Sequence, residues 1–308
     1  MFKNSNTNKR YYTLDYYYKE KYNTKVFKVS LNLGLTCPNK DGTKGYGGCI
    51  YCKNGSGDFA GNKKDNLKEQ FHNIKDILHK KWPNAKYIAY FQANTNTYGD
   101  LNYLKQKYEE VLTYENVLGI NIATRCDAIS EECLNYLEEL NKKTDLTIEL
   151  GLQTIHEKTN KLLNLGYTLQ EFETTLKKLQ DKNIKVVVHI INGLPFETKQ
   201  MMIETAKYLN SKNIDGIKIH MLHILKDTPL EELYKIEQFH ILTREEYTDI
   251  VCDQLEYLNE NIVINRITGD PKEDDLIEPN WLIKKFCVLN EIDKEMKKRN
   301  SYQGKRAK

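Results

Sequence analysis

The sequence predicts an α/β fold, a partial (β/α)6 barrel of the TIM type with a small C-terminal extension. Two observations carry this. Six short runs rich in β-branched and aromatic residues alternate with amphipathic stretches, and no junction between them holds a Gly-x-Gly-x-x-Gly turn. Alternation at this spacing means parallel βαβ units. The missing glycine turn favours a barrel over a dinucleotide-binding sheet. In such barrels the chemistry sits at the C-terminal ends of the strands.

The six runs are 26–34, 86–92, 118–124, 146–152, 184–191 and 214–222. Several are nearly continuous in apolar residues, as strands covered on both faces are. Helical patterns lie between them. Residues 66–80 place Leu67, Phe71, Ile74, Ile77 and Leu78 on one predicted face. Residues 130–141 open with Ser130, whose hydroxyl can accept from orphan N–H groups. Glu131 and Glu132 follow and suit the helix dipole. Leu134, Leu137 and Leu140 supply the buried face, and similar patterns cover 168–182, 198–212 and 243–260. Residues 1–261 thus form the barrel with a basic N-terminal segment. Residues 262–308 read as an extension with a basic tail, holding a short strand and turn at 264–270 and a helix over 278–299 opened by Pro279.

Length and composition narrow the function classes. The chain has 308 residues, 40% hydrophobic, with a formal net charge of +3, which argues against disorder. No window approaches the roughly 18 uncharged apolar residues of a membrane span. The N-terminal segment has no apolar stretch of the secretory kind. Seven cysteines without a secretion signal point to a reducing, cytoplasmic setting and to metal or catalytic use. Residues 1–28 hold seven Lys/Arg against two acids, and residues 294–308 hold seven against one. Two basic ends on an acidic body suit a polyanion partner such as RNA. They equally suit solvated tails in a chain where Lys outnumbers Arg 40 to 6.

The most informative segment is NLGLTCPNKDGTKGYGGCIYC, residues 32–52. Cys37, Cys49 and Cys52 form C-x11-C-x2-C directly after the first predicted strand, in a loop that also holds Gly42, Gly45, Gly47 and Gly48. Glycines let the loop wrap tightly and turn N–H groups toward sulfur. Three thiolates at one strand end suit a cubane iron–sulfur cluster with one iron left open to a small molecule. A structural zinc needs a fourth ligand. Cys126, at the end of the third predicted strand, keeps that alternative open.

These residues resemble the radical S-adenosylmethionine (SAM) superfamily, in the bacterial YhcC/YtqA-like group related to the radical SAM domain of the elongator catalytic subunit. CPNKDGTKGYGGCIYC carries the likeness, with Tyr51 just before the last cysteine. YFQANTNTYG (90–99), ATRCDAIS (123–130), ELGLQTIHEKT (149–159), HIINGLPFET (189–198), KIHMLHILKDTPL (218–230), ITGDP (267–271) and EPNW (278–281) extend it over nearly the whole chain. The long loop between the first two cysteines departs from the superfamily's C-x3-C-x2-C and matches this group.

The resemblance implies a barrel of the radical SAM kind, with Cys37, Cys49 and Cys52 holding a [4Fe–4S] cluster and SAM on its fourth iron. In the superfamily, an electron from the cluster cleaves SAM to methionine and a 5′-deoxyadenosyl radical, which takes a hydrogen from the substrate. A low-potential donor such as flavodoxin or ferredoxin is implied with it. The SAM contacts implied are Tyr51, Gln92 in place of the usual acidic segment, Arg125, Asp127, Glu149, Gln153, His189 and Asn192, with His220 facing the substrate. Bland readings stand beside these. Arg125 and Glu149 can pair across adjacent strands, and His189 can be a hydrogen-bonded core histidine. His220 and His223, three apart on a predicted strand, face opposite ways and so do not suggest a metal pair. Cys133 and Cys252 read as small core residues, and the tyrosines at 11–18 as packing surface.

For function, the resemblance implies modification of the tRNA wobble uridine, concretely conversion of 5-carboxymethylaminomethyluridine to 5-aminomethyluridine. Hydrogen abstraction next to the amine would weaken the bond to be broken. An appended acetyltransferase is not expected. The alternatives are a radical SAM enzyme on a small molecule or protein, and a zinc-stabilised RNA-binding module without catalysis. The cluster reading makes a direct prediction. Replacing any one of Cys37, Cys49 or Cys52 with Ser abolishes 5′-deoxyadenosine formation and leaves tRNA binding unchanged in a filter assay. A serine variant that still forms 5′-deoxyadenosine would refute the assignment.

Overall fold

The computed structural model describes residues 2–53 and 60–307. Its centre is a seven-stranded sheet, parallel throughout and curled into a half-barrel, with strand order β1-β2-β3-β4-β5-β6-β8. The strands alternate with helices along the chain: α1 Leu14–Tyr22, β1 Val26–Leu31, α2 Leu67–His79, β2 Lys86–Phe91, α3 Leu101–Leu112, β3 Val117–Arg125, α4 Glu131–Lys143, β4 Asp145–Gln153, α5 Glu157–Leu162, α6 Leu169–Asp181, β5 Lys185–Asn192, α7 Lys199–Asn210 and β6 Gly216–Met221. Then come the short β7 Ile224–Leu225, α8 Pro229–Ile236, α9 Arg244–Tyr257, β8 Val263–Arg266, β9 Leu276–Glu278 and α10 Lys285–Lys298.

The expected strands are found within three residues of where the apolar runs place them. The helices after them start where a short polar residue can cap: Asn66, Ser130, Thr168, Thr198 and Thr243 each accept from a backbone N–H two or three residues into the helix. Such caps satisfy donors that have no partner inside the helix. Along β5, Val186, Val188 and Ile190 face the helices and are fully or nearly fully buried, whereas Val187, His189 and Ile191 face the barrel interior. The two-residue period separates these sets.

Several expectations change. On α2, Ile77 is exposed rather than buried with Leu67 and Phe71. At 100° per residue it lies about 80–100° from the centre of the stripe that Leu67, Phe71 and Leu78 define. Helices α1, α3, α5 and α8 were not read from the sequence. In α3 the buried face is Leu104, Tyr108 and Val111, a pattern diluted by charged neighbours. The helix expected from Pro279 starts at Lys285, because residues 276–278 pair with β7 and residues 280–284 form a 3-10 turn.

The extension also joins the barrel. Strand β8, beyond the expected boundary at residue 261, pairs in parallel with β6 as the seventh strand. The N-terminal segment runs beside it, with the Ile264 N–H donating to the Tyr12 carbonyl at 2.7 Å. Helix α1 then packs Tyr18 against Val26 and Ile88, under the N-terminal ends of β1 and β2. Tyr11 and Tyr18 are buried, so part of the tyrosine run is packing surface.

The two basic ends meet on the body. Gln303, fully buried, accepts from the Tyr12 N–H at 2.8 Å and donates to the carbonyls of Asn259 and Ile262 at 2.7 and 2.8 Å. Lys3 pairs with Glu260, Lys9 with Asp293, Arg299 with Asp249, Asp253 and Glu295, and Arg306 with Glu256. Lys21 and Lys28 pair with Asp145 and Glu149, so six basic residues of the two ends are matched by acids of the acidic body. Lys294 and Lys297 stay exposed without an ion pair among the described residues. Replacing Gln303 with Ala strands one N–H and two carbonyls at about 1–3 kcal/mol each when no water reaches them. The expected loss is about 2 kcal/mol or more, read as a lower midpoint in urea denaturation. An unchanged midpoint would show that the clasp contributes nothing.

Candidate active site

The loop after β1 is folded over the C-terminal end of the barrel by its own backbone. The Cys37 carbonyl accepts from the N–H groups of Lys40 and Asp41, and the Pro38 carbonyl from those of Lys44 and Gly45. Gly47 and Gly48 both take left-handed φ values, +77° and +78°, and the Gly48 N–H then reaches the Asn39 carbonyl at 2.8 Å. Gly45 admits Asn39, since a Cβ there would lie 2.3 Å from Asn39 Oδ1. The buried Asn39 amide donates to the Asn164 carbonyl at 2.6 Å and approaches Cys49 Sγ at 3.8 Å. Ile50 links the loop to the end of α5 and to α8, its N–H donating to the Leu163 carbonyl and its carbonyl accepting from the Leu230 N–H.

Cys37, Cys49 and Cys52 line one cavity of about 300 Å³ with the barrel interior as its floor. Tyr51, Gln92, Arg125, Glu149, Gln153, His189 and His220 line it too. The structure thus brings ten residues expected at the site, the three cysteines and these seven, to one place. Two more are turned away. Asp127 lies on a 3-10 turn that folds its carboxylate back onto Arg125. Its oxygens take Arg125 Nε and Nη2, both at 2.9 Å, and its side chain is 1% exposed. It orients Arg125 and does not face the cavity. Asn192 has the outward parity of β5. Its amide exchanges two 2.8 Å hydrogen bonds with Gln254 of α9. That site is structural.

The cavity floor is an ionic centre built from every strand of the sheet. Glu149 of β4 is completely buried. One oxygen accepts from Lys28 Nζ of β1 at 2.6 Å and Asn121 Nδ2 of β3 at 2.7 Å. The other accepts from Lys218 Nζ of β6 at 2.5 Å and His189 Nε2 of β5 at 2.8 Å. Tyr90 of β2 accepts from Lys218 at 2.8 Å, and Asn265 of β8 accepts from Lys28 at 3.3 Å. A carboxylate has about four acceptor sites, so Glu149 is saturated. It is not free for a cofactor amine. Nor does it pair with Arg125, as a cross-strand reading suggested. The carboxylate is held well below its usual range by Lys218 and Lys28, against the opposing effect of burial.

Burial, with Lys218 nearby, pushes His189 down to about 4, so its ring is neutral near pH 7. Nε2 donates to Glu149, which leaves Nδ1 as an acceptor. His220 is also held well below its usual value by burial and by the His189, Arg266 and Lys218 charges. The two rings lie 5.2 Å apart. Strand β6 ends at Met221, and the chain turns there. His223 therefore lines the same cavity as His220 instead of facing away. Its Nε2 is buried without a hydrogen-bond partner among the described residues.

The donor set decides between the two metal readings. Among the described residues, no three His, Cys, Asp or Glu side chains are gathered as a single ion requires. Cys126 is buried in the core and does not line the cavity, so it does not complete a zinc site. A cubane instead offers separate irons to separate thiolates. Burial and the neighbouring thiols push Cys49 up to about 11, so near pH 7 it is a thiol whose proton a bound metal would displace.

Residues 35–209 match the radical SAM superfamily, and residues 214–298 match the radical SAM C-terminal domain. The chain belongs to the radical SAM superfamily. It is 48% identical over 302 residues to the uncharacterised protein YtqA of Bacillus subtilis, covering 98% of this chain and 94% of that protein. It is 26% identical over 168 residues to a tRNA uridine(34) acetyltransferase of Methanocaldococcus infernus, spanning 54% of this chain and 31% of that protein. The structure of Methanocaldococcus infernus Elp3 with an N-terminal deletion superposes with a TM-score of 0.67 at 18% identity, covering 90% of this chain and 64% of that one. The second match begins near β6, well before residue 262.

Radical SAM proteins use a [4Fe–4S] cluster and SAM, and the cavity of this radical SAM chain fits both in donor chemistry. Cys37, Cys49 and Cys52 would hold the cluster. Arg125, stacked 5.0 Å from the Tyr167 ring and fixed by Asp127, presents a guanidinium of the kind that pairs with a carboxylate. Gln92, Gln153 and the His189 Nδ1 add neutral polar contacts. The sequence reading missed Lys28, Tyr90, Asn121, Lys218, His223 and Arg266. Lys28 and Lys218 carried the same signal as Glu149: a charge at an inward position of an otherwise apolar strand.

The His189 environment predicts a pH effect. The unfolded chain takes up a proton below about 6.5, the folded chain only near 4. The unfolded state therefore binds more protons between these values, and stability falls as pH drops through that window. His189→Gln removes the titration. Urea midpoints at pH 7 and pH 5 are expected to drop further for the wild type than for the variant. Equal drops would refute the neutral, buried imidazole.

Proposed function

We propose that this radical SAM enzyme acts on tRNA, converting 5-carboxymethylaminomethyluridine at the wobble position to 5-aminomethyluridine. The observation that supports it is the 168-residue likeness to a protein named for tRNA uridine 34. The likeness of fold to Elp3 is consistent with it. When bound, the cluster and SAM supply a 5′-deoxyadenosyl radical able to take a hydrogen atom from a C–H bond.

The chain's own residues would do the rest. Cys37, Cys49 and Cys52 bind the cluster, and Arg125, Gln92, Gln153, Tyr51 and His189 orient SAM. Ile191, Met221, Leu222 and Leu225 wall the cavity with apolar surface, which keeps water from a reactive species. His220 and the residues opposite the cysteine loop face the substrate. The electron would come from a flavodoxin or ferredoxin in the cytoplasm. Among the described residues no helix is long and apolar enough to cross a membrane.

One observation favours a second reading, a small-molecule or protein substrate. Six basic residues of the two ends are ion-paired to the body, so the ends offer tRNA phosphates less free charge than their composition suggests. One assay separates the two. Reconstituted enzyme, SAM and a reductant are incubated with tRNA bearing 5-carboxymethylaminomethyluridine, and the digested nucleosides are followed by mass spectrometry. The expected product is 5-aminomethyluridine, formed with 5′-deoxyadenosine. Formation of 5′-deoxyadenosine with an unchanged nucleoside profile would overturn the tRNA reading.

A further inference from the structure

Five cations line the cavity: Lys40, Lys53, Arg125, Lys218 and Arg266. Three are already held by carboxylates. Lys53 pairs with Asp227 and Asp275, Arg125 with Asp127, and Lys218 with Glu149. Lys40 donates to the Lys53 carbonyl at 3.4 Å. Arg266 alone has neither an ion pair nor a side-chain hydrogen bond among the described residues.

Topology explains why. Arg266 is the last residue of β8, the edge strand of the sheet, and its Cα partner is Lys218. Cross-strand partners share a face, so Arg266 lies on the interior face beside Lys218. No further strand lies beyond β8 to supply an acid. The two carboxylates that line the cavity are both committed. Glu149 is saturated, and Asp270 is held through both oxygens by Lys285 at 2.8 Å. Besides Lys218, the imidazoles of His220 and His223 lie near Arg266. Burial and its own charge depress both His220 and His223. Gly269 leaves the space that His223 occupies, since a Cβ there would lie 1.9 Å from His223 Nε2.

We propose that Arg266, with His220 beside it, is an anion subsite that holds a carboxylate of the substrate. One guanidinium without a counter-charge, flanked by neutral imidazoles, matches a single negative charge better than a phosphate dianion. A guanidinium offers a carboxylate two parallel N–H donors. The site lies at the C-terminal end of β8 and lines the same cavity as the three cysteines. Resting on the wobble-uridine reading, that anion is the carboxymethyl carboxylate of the modified base.

The test uses cluster-loaded, SAM-bound enzyme without reductant. Phenylglyoxal modifies accessible, unpaired arginines, and peptide mass spectrometry follows Arg266. Acetate and the nucleoside 5-carboxymethylaminomethyluridine are expected to slow its modification about tenfold, with 5-aminomethyluridine having little effect. In turnover, Arg266→Ala is expected to raise KM for the modified tRNA about tenfold with kcat little changed, and Arg266→Lys to recover part of the loss. Arg266 is exposed and unpartnered, so neither substitution strains the fold.

Modification slowed by neither carboxylate would overturn the subsite. Stronger protection by uridine 5′-monophosphate than by either carboxylate would overturn the carboxylate assignment in favour of phosphate. Protection by acetate, with modified tRNA untouched by the wild type, would sink the wobble-uridine reading and leave the subsite standing. Conversion of that tRNA by Arg266→Ala at the wild-type KM would do the reverse.

Discussion

The buried carboxylate of Glu149 is the interaction on which the rest of this structure depends. A parallel barrel brings inward residues from all its strands to one axis, and polar groups placed there cannot reach bulk water. Lys28 and Lys218 would be costly cations inside such a barrel, and Glu149 would be a costly anion. Together with His189 and Asn121 they satisfy one another. Removing one member of such a set typically costs about 3–5 kcal/mol, because a partner is left charged and unpaired. The same contacts tie β1, β3, β4, β5 and β6, with Tyr90 and Asn265 adding β2 and β8. The set spans the sheet from one edge strand to the other.

This centre also sorts the cavity residues by role. A polar side chain already saturated by the protein has nothing left to offer a ligand. Glu149 is of that kind, as is Asp127, which spends both oxygens on Arg125. The groups with capacity remaining are the three thiols, the Arg125 fork where it faces the cavity, the free nitrogen of His189, His220 and Arg266. They come from different elements, the thiols from the loop after the first strand and Arg266 from the last strand, and all line one cavity.

Both termini take part in the architecture. The N-terminal segment lies beside β8, α1 sits under the barrel, and the C-terminal residues are locked between them through Gln303. Acidic residues of the body and of α10 neutralise six of the basic residues that looked, in composition, like two polyanion-binding tails. Charge counted along a chain does not show whether it faces solvent or an internal partner.

How much was legible follows from the range of each interaction. The strands and the capped helices were readable because apolar period and capping chemistry are local. The cysteine loop was readable because its three cysteines lie within sixteen residues of one another. Glu149 and Gln153 stood out as polar residues in an apolar run, yet the partners of Glu149 did not. Lys28 lies 121 positions away, and only the curl of the sheet brings them together. Asn192 and Asp127 were misplaced for the opposite reason. Their neighbours in sequence face the cavity, while strand parity and one 3-10 turn point them elsewhere. The strands of the barrel and the spacing of the cysteine loop were legible because they rest on local pattern, and the resemblance those residues carry pointed to the superfamily. Which charged groups are spent on one another and which remain for a ligand came from the fold, because pairing inside a barrel is set by register between distant strands.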